Sequence, residues 1–198
     1  MRIAPAVLCV LCLAGVSVAV ADCDCDQPGN LIPNCGFDTD GSSWISIFGT
    51  NTFNPDDDCP SAEGGSLQVE GELFKRQTSL AAVGLDQRVT IDPNTTYSFG
   101  GAVKLVTALG GWVYSDFILQ EYSADGSTLS HHMITQTITQ GGWQGWLTET
   151  FTSHPDAQSV GISIWFEGGL DPSIVLNIDE LFLGPGLVPV ELQSFEAE

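Results

Sequence analysis

Between residues 44 and 183 the chain is written in short runs of Val, Ile, Thr and aromatic residues, cut at intervals by Gly, Pro, Asn and Asp. No stretch of helical length repeats its apolar residues every 3.6 positions, so the pattern predicts strands joined by turns. Nine strands are predicted, over 44–48, 66–69, 84–91, 96–106, 112–122, 133–139, 146–152, 159–166 and 174–183. With Gly-rich corners they fit an all-β fold, an antiparallel β-sandwich of jelly-roll type.

Successive side chains on a strand point to opposite faces, so parity predicts the core. Tyr97, Phe99, Val103 and Leu105 share one face with Gly101, opposite Thr96, Ser98 and Lys104. Leu85, Gln87, Val89 and Ile91 are set against Asp86, Arg88 and Thr90. Val160, Ile162, Ile164 and Phe166 are set against Gly161, Ser163, Trp165 and Glu167.

The run 112–122 departs from this rule because neither of its faces is plainly polar. If Val113, Phe117 and Leu119 pack inward, then Trp112, Tyr114, Asp116, Ile118, Gln120 and Tyr122 turn outward. Flat rings stack on the apolar C–H faces of pyranoses, while carboxylates and amides take up the hydroxyls, so such a face suits sugar recognition. Trp112, Tyr114 and Trp165 are the candidate stacking rings, with Arg88, Asp116, Gln120 and Glu167 as the polar groups beside them. The plainer alternative packs these rings beneath loops or against a neighbouring domain.

Charge narrows the partners. The chain has 25 Asp and Glu against 5 Lys and Arg, a net charge of −20. Beyond Arg2, its basic residues are Lys75, Arg76, Arg88 and Lys104, and they form no cluster that would attract a phosphate backbone; nucleic acid is excluded as a partner. Asp24, Asp26 and Asp56-Asp57-Asp58 read as solvated loops, or as places for a hard cation.

Met1 and Arg2 lead into an apolar run from Val7 to Val20 that ends at Ala19-Val20-Ala21, the form of a secretory signal peptide with a small-x-small cleavage site. The run is shorter than the ~20 residues needed to cross a bilayer. The expected division is a signal peptide over 1–21, an acidic Cys-containing segment over 22–29, one sandwich over 30–184 and a linker or tail over 185–198. The product is expected outside the cell or in the periplasm, with no membrane partner after cleavage.

Two of the six cysteines lie in the leader, and Cys23, Cys25, Cys35 and Cys59 remain. An even number in an exported chain reads as two disulfides. Cys35 with Cys59 is the favoured pair, because it ties the first strand to the acidic loop. Cys23 and Cys25 are left to each other or to outside partners, and a Cys-x-Cys metal site is the alternative.

The case for catalysis is weak. Carboxylates abound, but none sits in a recognisable acid/base or nucleophile setting, and there is no nucleophile elbow or phosphate-cradling Gly loop. His131 and His132 are adjacent on a strand and point opposite ways, so they cannot jointly hold one metal. Asn94-Thr95-Thr96 is a glycosylation sequon, relevant only in a eukaryotic host.

The order of features then becomes recognisable. Asn30-Leu31-Ile32-Pro33-Asn34-Cys35-Gly36-Phe37-Asp38 resembles the "NL-x-x-N-G-x-F-E" opening of carbohydrate-binding modules of families four, nine and twenty-two, and Trp44 follows a Gly-Ser turn. Gly65-Ser66-Leu67-Gln68-Val69 looks like their "G-x-x-S-L-x-V" strand, and Ile91-Asp92-Pro93-Asn94-Thr95-Thr96-Tyr97 like "V-x-P-G-x-T-Y". Trp143 before Thr150-Phe151-Thr152, and Leu176-Asn177-Ile178-Asp179-Glu180-Leu181-Phe182-Leu183, look like the "W … F-T" and "I-D-D-V-x-L" ends. Each piece is turn and strand chemistry; the resemblance rests on their sequential order from Asn30 to Gly184. Cys35 stands where the family has a small residue or glycine.

The resemblance implies a noncatalytic domain that binds a polysaccharide or other glycan, with Trp44 and Trp143 structural. It also implies a structural calcium ion at the positions of Asp38 and Asp179, where hard oxygen ligands would relieve the repulsion between two acids. The alternative gives both aspartates only turn and backbone hydrogen bonds. Two other functions stay open: a structural or adhesion module that binds a protein, and an accessory domain of a glycoside hydrolase whose catalytic domain is absent from this chain.

Overall fold

A computed structural model describes residues 28–59, 64–74, 78–108, 110–145, 148–168 and 174–186. Residues 1–27, which include the segment expected as a signal peptide and Cys23 and Cys25, lie outside the described residues, as do Trp146 and residues 187–198. Two antiparallel sheets make up the fold, and the described residues contain no helix.

The first sheet has the order β1-β5-β12-β8-β9, formed by β1 (Trp44–Phe48), β5 (Thr78–Leu85), β12 (Ser159–Gly168), β8 (Trp112–Tyr122) and β9 (Thr128–Thr139). Short strands β4 (Glu72–Phe74) and β6 (Val89–Thr90) add to β5 and β12. In the second sheet the order is β10-β7-β13-β3-β2, from β10 (Gln144–Gly145), β7 (Thr96–Thr107), β13 (Val175–Pro185), β3 (Ser66–Glu70) and β2 (Thr50–Asn54). Strand β11 (Glu149–Thr152) pairs with β7.

Parity sorts the core as the sequence predicts for β7, β8 and β12. Tyr97, Phe99, Val103 and Leu105 are buried from one sheet, and Val113, Phe117, Leu119, Val160, Ile162, Ile164 and Phe166 from the other. Phe99 and Phe117 meet edge to face across the two layers, with centroids 5.3 Å apart, a geometry that suits the ring quadrupoles.

Two motifs of the opening and the corner owe their form to hydrogen bonds. Asn30 accepts from the Leu183 backbone N–H at 3.0 Å and donates to the Leu181 carbonyl at 2.9 Å, so one side chain clamps the segment around Asn30 onto β13. The Tyr97 hydroxyl accepts from the Asp92 N–H at 2.7 Å and closes the turn that enters β7. Asn94 sits in that turn at φ 53°, a left-handed conformation that Asn tolerates better than most residues.

The strand predicted over 84–91 is the main correction. The chain runs as a strand from Thr78 to Leu85, bends at Asp86 and Gln87, and resumes only at Val89–Thr90. The Asp86 N–H bonds to the Ser43 carbonyl instead of a ladder partner, and Gln87, expected inward, is exposed. Parity fails beyond a bend because the alternation of faces restarts there.

The acidic loop is a second correction. Lys104 grips the Asp57 carboxylate through both oxygens, at 2.6 and 2.8 Å, and the Asn177 amide donates to the same group. Cys59 is fully buried in a small cluster with Ala102, against which Trp143 packs. The loop therefore roofs the outer face of the second sheet. Phe182 adds to this cover, lying so close over Gly100 that a Cβ there would stand 2.8 Å from its ring.

Cys35 and Cys59 are both disulfide-bonded. Trp44 is buried and packs on Phe37, with centroids 5.9 Å apart.

Candidate functional site

The acidic loop covers the middle of the second sheet's outer face, around Ala102, Lys104 and Asn177, whereas the middle of the first sheet's outer face carries no such loop among the described residues. Five large apolar side chains stand exposed on this first-sheet face: Ile45, Ile47, Trp112, Tyr114 and Met133. Its floor is low in the middle, because β5 and β12 place Gly84, Gly161 and Ser163 outward there. Ile47 leans over Gly84, where a Cβ would come within 2.9 Å of it.

Trp112, Tyr114 and Trp165 all emerge on this surface. Trp112 is 39% and Tyr114 52% exposed, while Trp165 is half-buried. In the β8–β12 register Tyr114 faces Glu167 and Asp116 faces Trp165, so Trp165 is the diagonal neighbour of Tyr114. The Trp165 Nε1–H donates to the Ser163 hydroxyl at 3.2 Å, which fixes the indole over its own strand. Its other register partner is Ala82, fully buried on the same side.

The polar candidates join the same face. Asp116 accepts from the Thr135 hydroxyl at 2.7 Å, which anchors one carboxylate oxygen beside the rings. Glu167 is exposed next to Tyr114. Gln120 lies further along β8, with its amide nitrogen donating to the Ser130 carbonyl. Arg88, expected on a strand, instead comes from the bend and lays its guanidinium over the Tyr122 ring, 3.3 Å from the centroid. From Trp112 to Gln120 the face runs on the order of 27 Å at ~3.4 Å per residue, long enough for an oligosaccharide.

Two parts of this surface lie beyond the rings and polar groups that the sequence singles out. Parity turns Tyr122 outward, but its pairing with Arg88 follows from the bend, which parity does not reveal. Thr135, Thr137 and Thr139 line the adjacent edge strand β9, opposite Asp116, Tyr114 and Trp112. Their strict alternation with Ile134 and Ile138 was the available signal.

A buried polar cluster lies behind the face, at the end of β8. Glu121 is fully buried and accepts from the Ser130 hydroxyl and from the His154 backbone N–H at 3.2 Å. His132 Nε2 stands 3.4 Å from a Glu121 oxygen, within ion-pair distance but outside hydrogen-bond geometry, and its ring stacks on Phe151 at 4.1 Å. The two adjacent histidines do point opposite ways, and His131 is exposed on the outer face.

The two aspartates implied as calcium ligands differ in setting. Asp179 is buried beside a bulge in β13, where Glu180 takes φ 52°. Its two oxygens accept the backbone N–H groups of Cys59 and Glu180, at 2.9 and 2.8 Å. Burial pushes its carboxyl up to about 8, with repulsion from Glu180 and Asp58 added and the two N–H bonds opposing. Asp38 is exposed, and its chain lies against Gly64. Among the described residues no three or more His, Cys, Asp or Glu side chains converge as a metal-binding group.

No family model matches the sequence, and no curated protein matches it. Solved structures do resemble the fold. The enzymatically active domain of tailspike protein 4 from bacteriophage CBA120 superposes with a TM-score of 0.58 at 15% identity, over 79% of this chain. This chain spans only 21% of that one. A family 16 carbohydrate-binding module gives a TM-score of 0.54 at 21% identity, over 78% of this chain and 99% of the module. The C-terminal family 22 module of Clostridium thermocellum Xyn10B gives 0.56 at 14% identity, over 82% and 94%. The chain is thus an antiparallel β-sandwich with the jelly-roll fold of carbohydrate-binding modules.

Proposed function

We propose that this chain is a secreted, noncatalytic domain that binds a polysaccharide along the outer face of its first sheet. The observation that carries the reading is the gathering of Trp112, Tyr114 and Trp165 on one open surface with Asp116 and Glu167 between and beside them. Rings take the apolar faces of sugars and the flanking carboxylates take hydroxyls, the mixed lining that a sugar site needs. Modules of the same fold support it: one was solved with β-1,4-galactotriose, and another is described as a xylan-binding domain.

Alanine at Trp112, Tyr114 and Trp165, assayed for retention on insoluble and soluble glycans, tests this. Loss of retention with an unchanged melting temperature supports it. A wild-type chain retained on no glycan overturns it in favour of a protein-binding module, a reading that Ile45, Ile47 and Met133 on the same face would serve. An accessory role beside a glycoside hydrolase is a further form of the same reading. The structure of a xylanase carrying a family 22 module shares the fold, and this chain matches 28% of its length.

Calcium belongs to the proposal as a structural ion at Asp179. Glu180 and Asp58 repel the Asp179 carboxylate, and a cation drawn to it would offset that repulsion, although the described acids do not converge there as a set of three ligands. Asp38, exposed against Gly64, contributes only if it turns toward that site.

A further inference from the structure

Beside the aromatic rings, at the other end of the same face, lies a cavity of about 290 Å³. Asp86, Arg88, Gln120, Tyr122, Gly161 and Ser163 line it. We infer that this cavity is a subsite for the carboxylate of an acidic sugar, borne as a sparse branch on an otherwise neutral glycan; the inference rests on the glycan-binding reading above.

Arg88 is held ready for such a group. Its guanidinium stacks on Tyr122, which occupies the π face and leaves the N–H edge to meet an acceptor. Tyr122 in turn lies down against β12 because residue 161 is glycine: a Cβ there would stand 3.2 Å from the Tyr122 ring. A guanidinium fixed in this way loses little freedom on binding, and its planar fork matches a carboxylate.

Arg88 also has no ion-pair partner among the described residues, although the Asp86 side chain shares the cavity lining. Of the described Lys and Arg residues, Lys104 is neutralised by Asp57, while Arg88 makes no ion pair with another described residue. In a chain of net charge −20, Arg88 is the one cation among the residues that line this cavity, set there with one acid, Asp86.

Electrostatics decides how many acidic groups the ligand carries. At physiological salt, charges are screened beyond about 8 Å, so a single carboxylate beside Arg88 feels the guanidinium, and Asp86 as the one acid in the same lining, more than the acids further away. A uniformly acidic polymer laid along the face would meet Asp116 and Glu167 as well, and the net charge would oppose its approach. One cation suits one charge.

The test uses the whole chain and four probes in titration calorimetry: xylohexaose, xylohexaose with one glucuronic acid branch, the methyl ester of that branch, and hexagalacturonate. The expected result is about tenfold tighter binding of the branched acid than of the neutral chain, as one charge-assisted contact would give. That preference should vanish for the methyl ester and for Arg88→Gln, shrink for Arg88→Lys, and weaken with salt; hexagalacturonate should not bind. Equal affinity for acid, ester and neutral chain overturns the subsite and leaves the glycan-binding reading standing. Tight binding of hexagalacturonate overturns the sparse-charge inference. Failure of all four probes, with no retention on any other glycan, overturns the underlying reading itself.

Discussion

The rings of Trp112 and Tyr114 meet edge to face, with centroids 4.9 Å apart and planes at 72°. Two residues apart on one strand, they share a face without sharing a plane. A straight sugar chain therefore cannot lie flat on both rings. It stacks on one and meets the edge of the other, or it turns between them.

This geometry makes the two rings unequal partners whose effects do not add. Each ring braces the other, so Trp112→Ala removes a contact surface and also frees Tyr114. Each single alanine variant is expected to weaken oligosaccharide binding by about 5- to 30-fold, and the double variant by less than the product, with a coupling of about 0.5–1.5 kcal/mol. Calorimetric titration of the two single variants and the double variant checks this. Strictly multiplicative losses would show that the rings act separately.

The pin between Lys104 and Asp57 yields a stability prediction. Asp57 accepts from both Lys104 and Asn177, and the ion pair is only about a quarter exposed. Asp57→Ala strands two donors and loosens the roof over the second sheet, at a cost of about 1–2 kcal/mol. Chemical denaturation should show this loss, while glycan binding on the opposite face stays unchanged. A variant as stable as the wild type would mean that the loop is held at Cys59, by its disulfide, its packing and its N–H bond to Asp179.

Glu121 is a sharper case because it is fully buried. Its carboxylate serves the Ser130 hydroxyl and the His154 N–H, so Glu121→Ala leaves two half-buried donors without this acceptor. The expected loss is about 2–4 kcal/mol, and Glu121→Gln, which keeps an acceptor oxygen, should recover about half of it. Urea unfolding of both variants measures the difference. If the two variants are equally unstable, the negative charge matters more than the hydrogen bonds.

The sequence makes this face legible through parity alone. Strand β8 begins and ends where its pattern predicts, at Trp112 and Tyr122, and its alternation with Val113, Phe117 and Leu119 turns the rings outward. Trp165 follows in the same way from Ile164 and Phe166. Parity is a local rule, and it fails where the chain bends. Arg88 reaches Tyr122 only because the strand stops at Leu85, and that stop depends on a hydrogen bond from Asp86 to Ser43. Strand β2 escapes notice because Thr50-Asn51-Thr52-Phe53-Asn54 is polar, and it forms by pairing along β3. Long-range partners such as Asp57 with Lys104 are invisible for the same reason: no local pattern encodes a contact 47 residues away.

Asp179 gives the last prediction, which joins pH to calcium. Its carboxyl titrates near 8 in the folded chain, against an ordinary value of 3.8, because burial disfavours the charge. Between about pH 4 and pH 8 the folded chain keeps a proton that the unfolded chain has lost. The unfolded state then binds fewer protons, so this group's contribution to stability falls as pH rises through that window and levels off above it. In chelator, the melting temperature of the wild type should drop from pH 5 to pH 8 by more than that of Asp179→Asn, which cannot titrate. Calcium favours the deprotonated carboxylate, so adding it should raise the melting temperature of the wild type more at pH 8 than at pH 5 and flatten the slope. The Asn variant should respond little at either pH. A wild-type chain whose melting temperature ignores calcium at both pH values would leave Asp179 as a buried acid held by two backbone N–H groups and would remove the ion from the proposal.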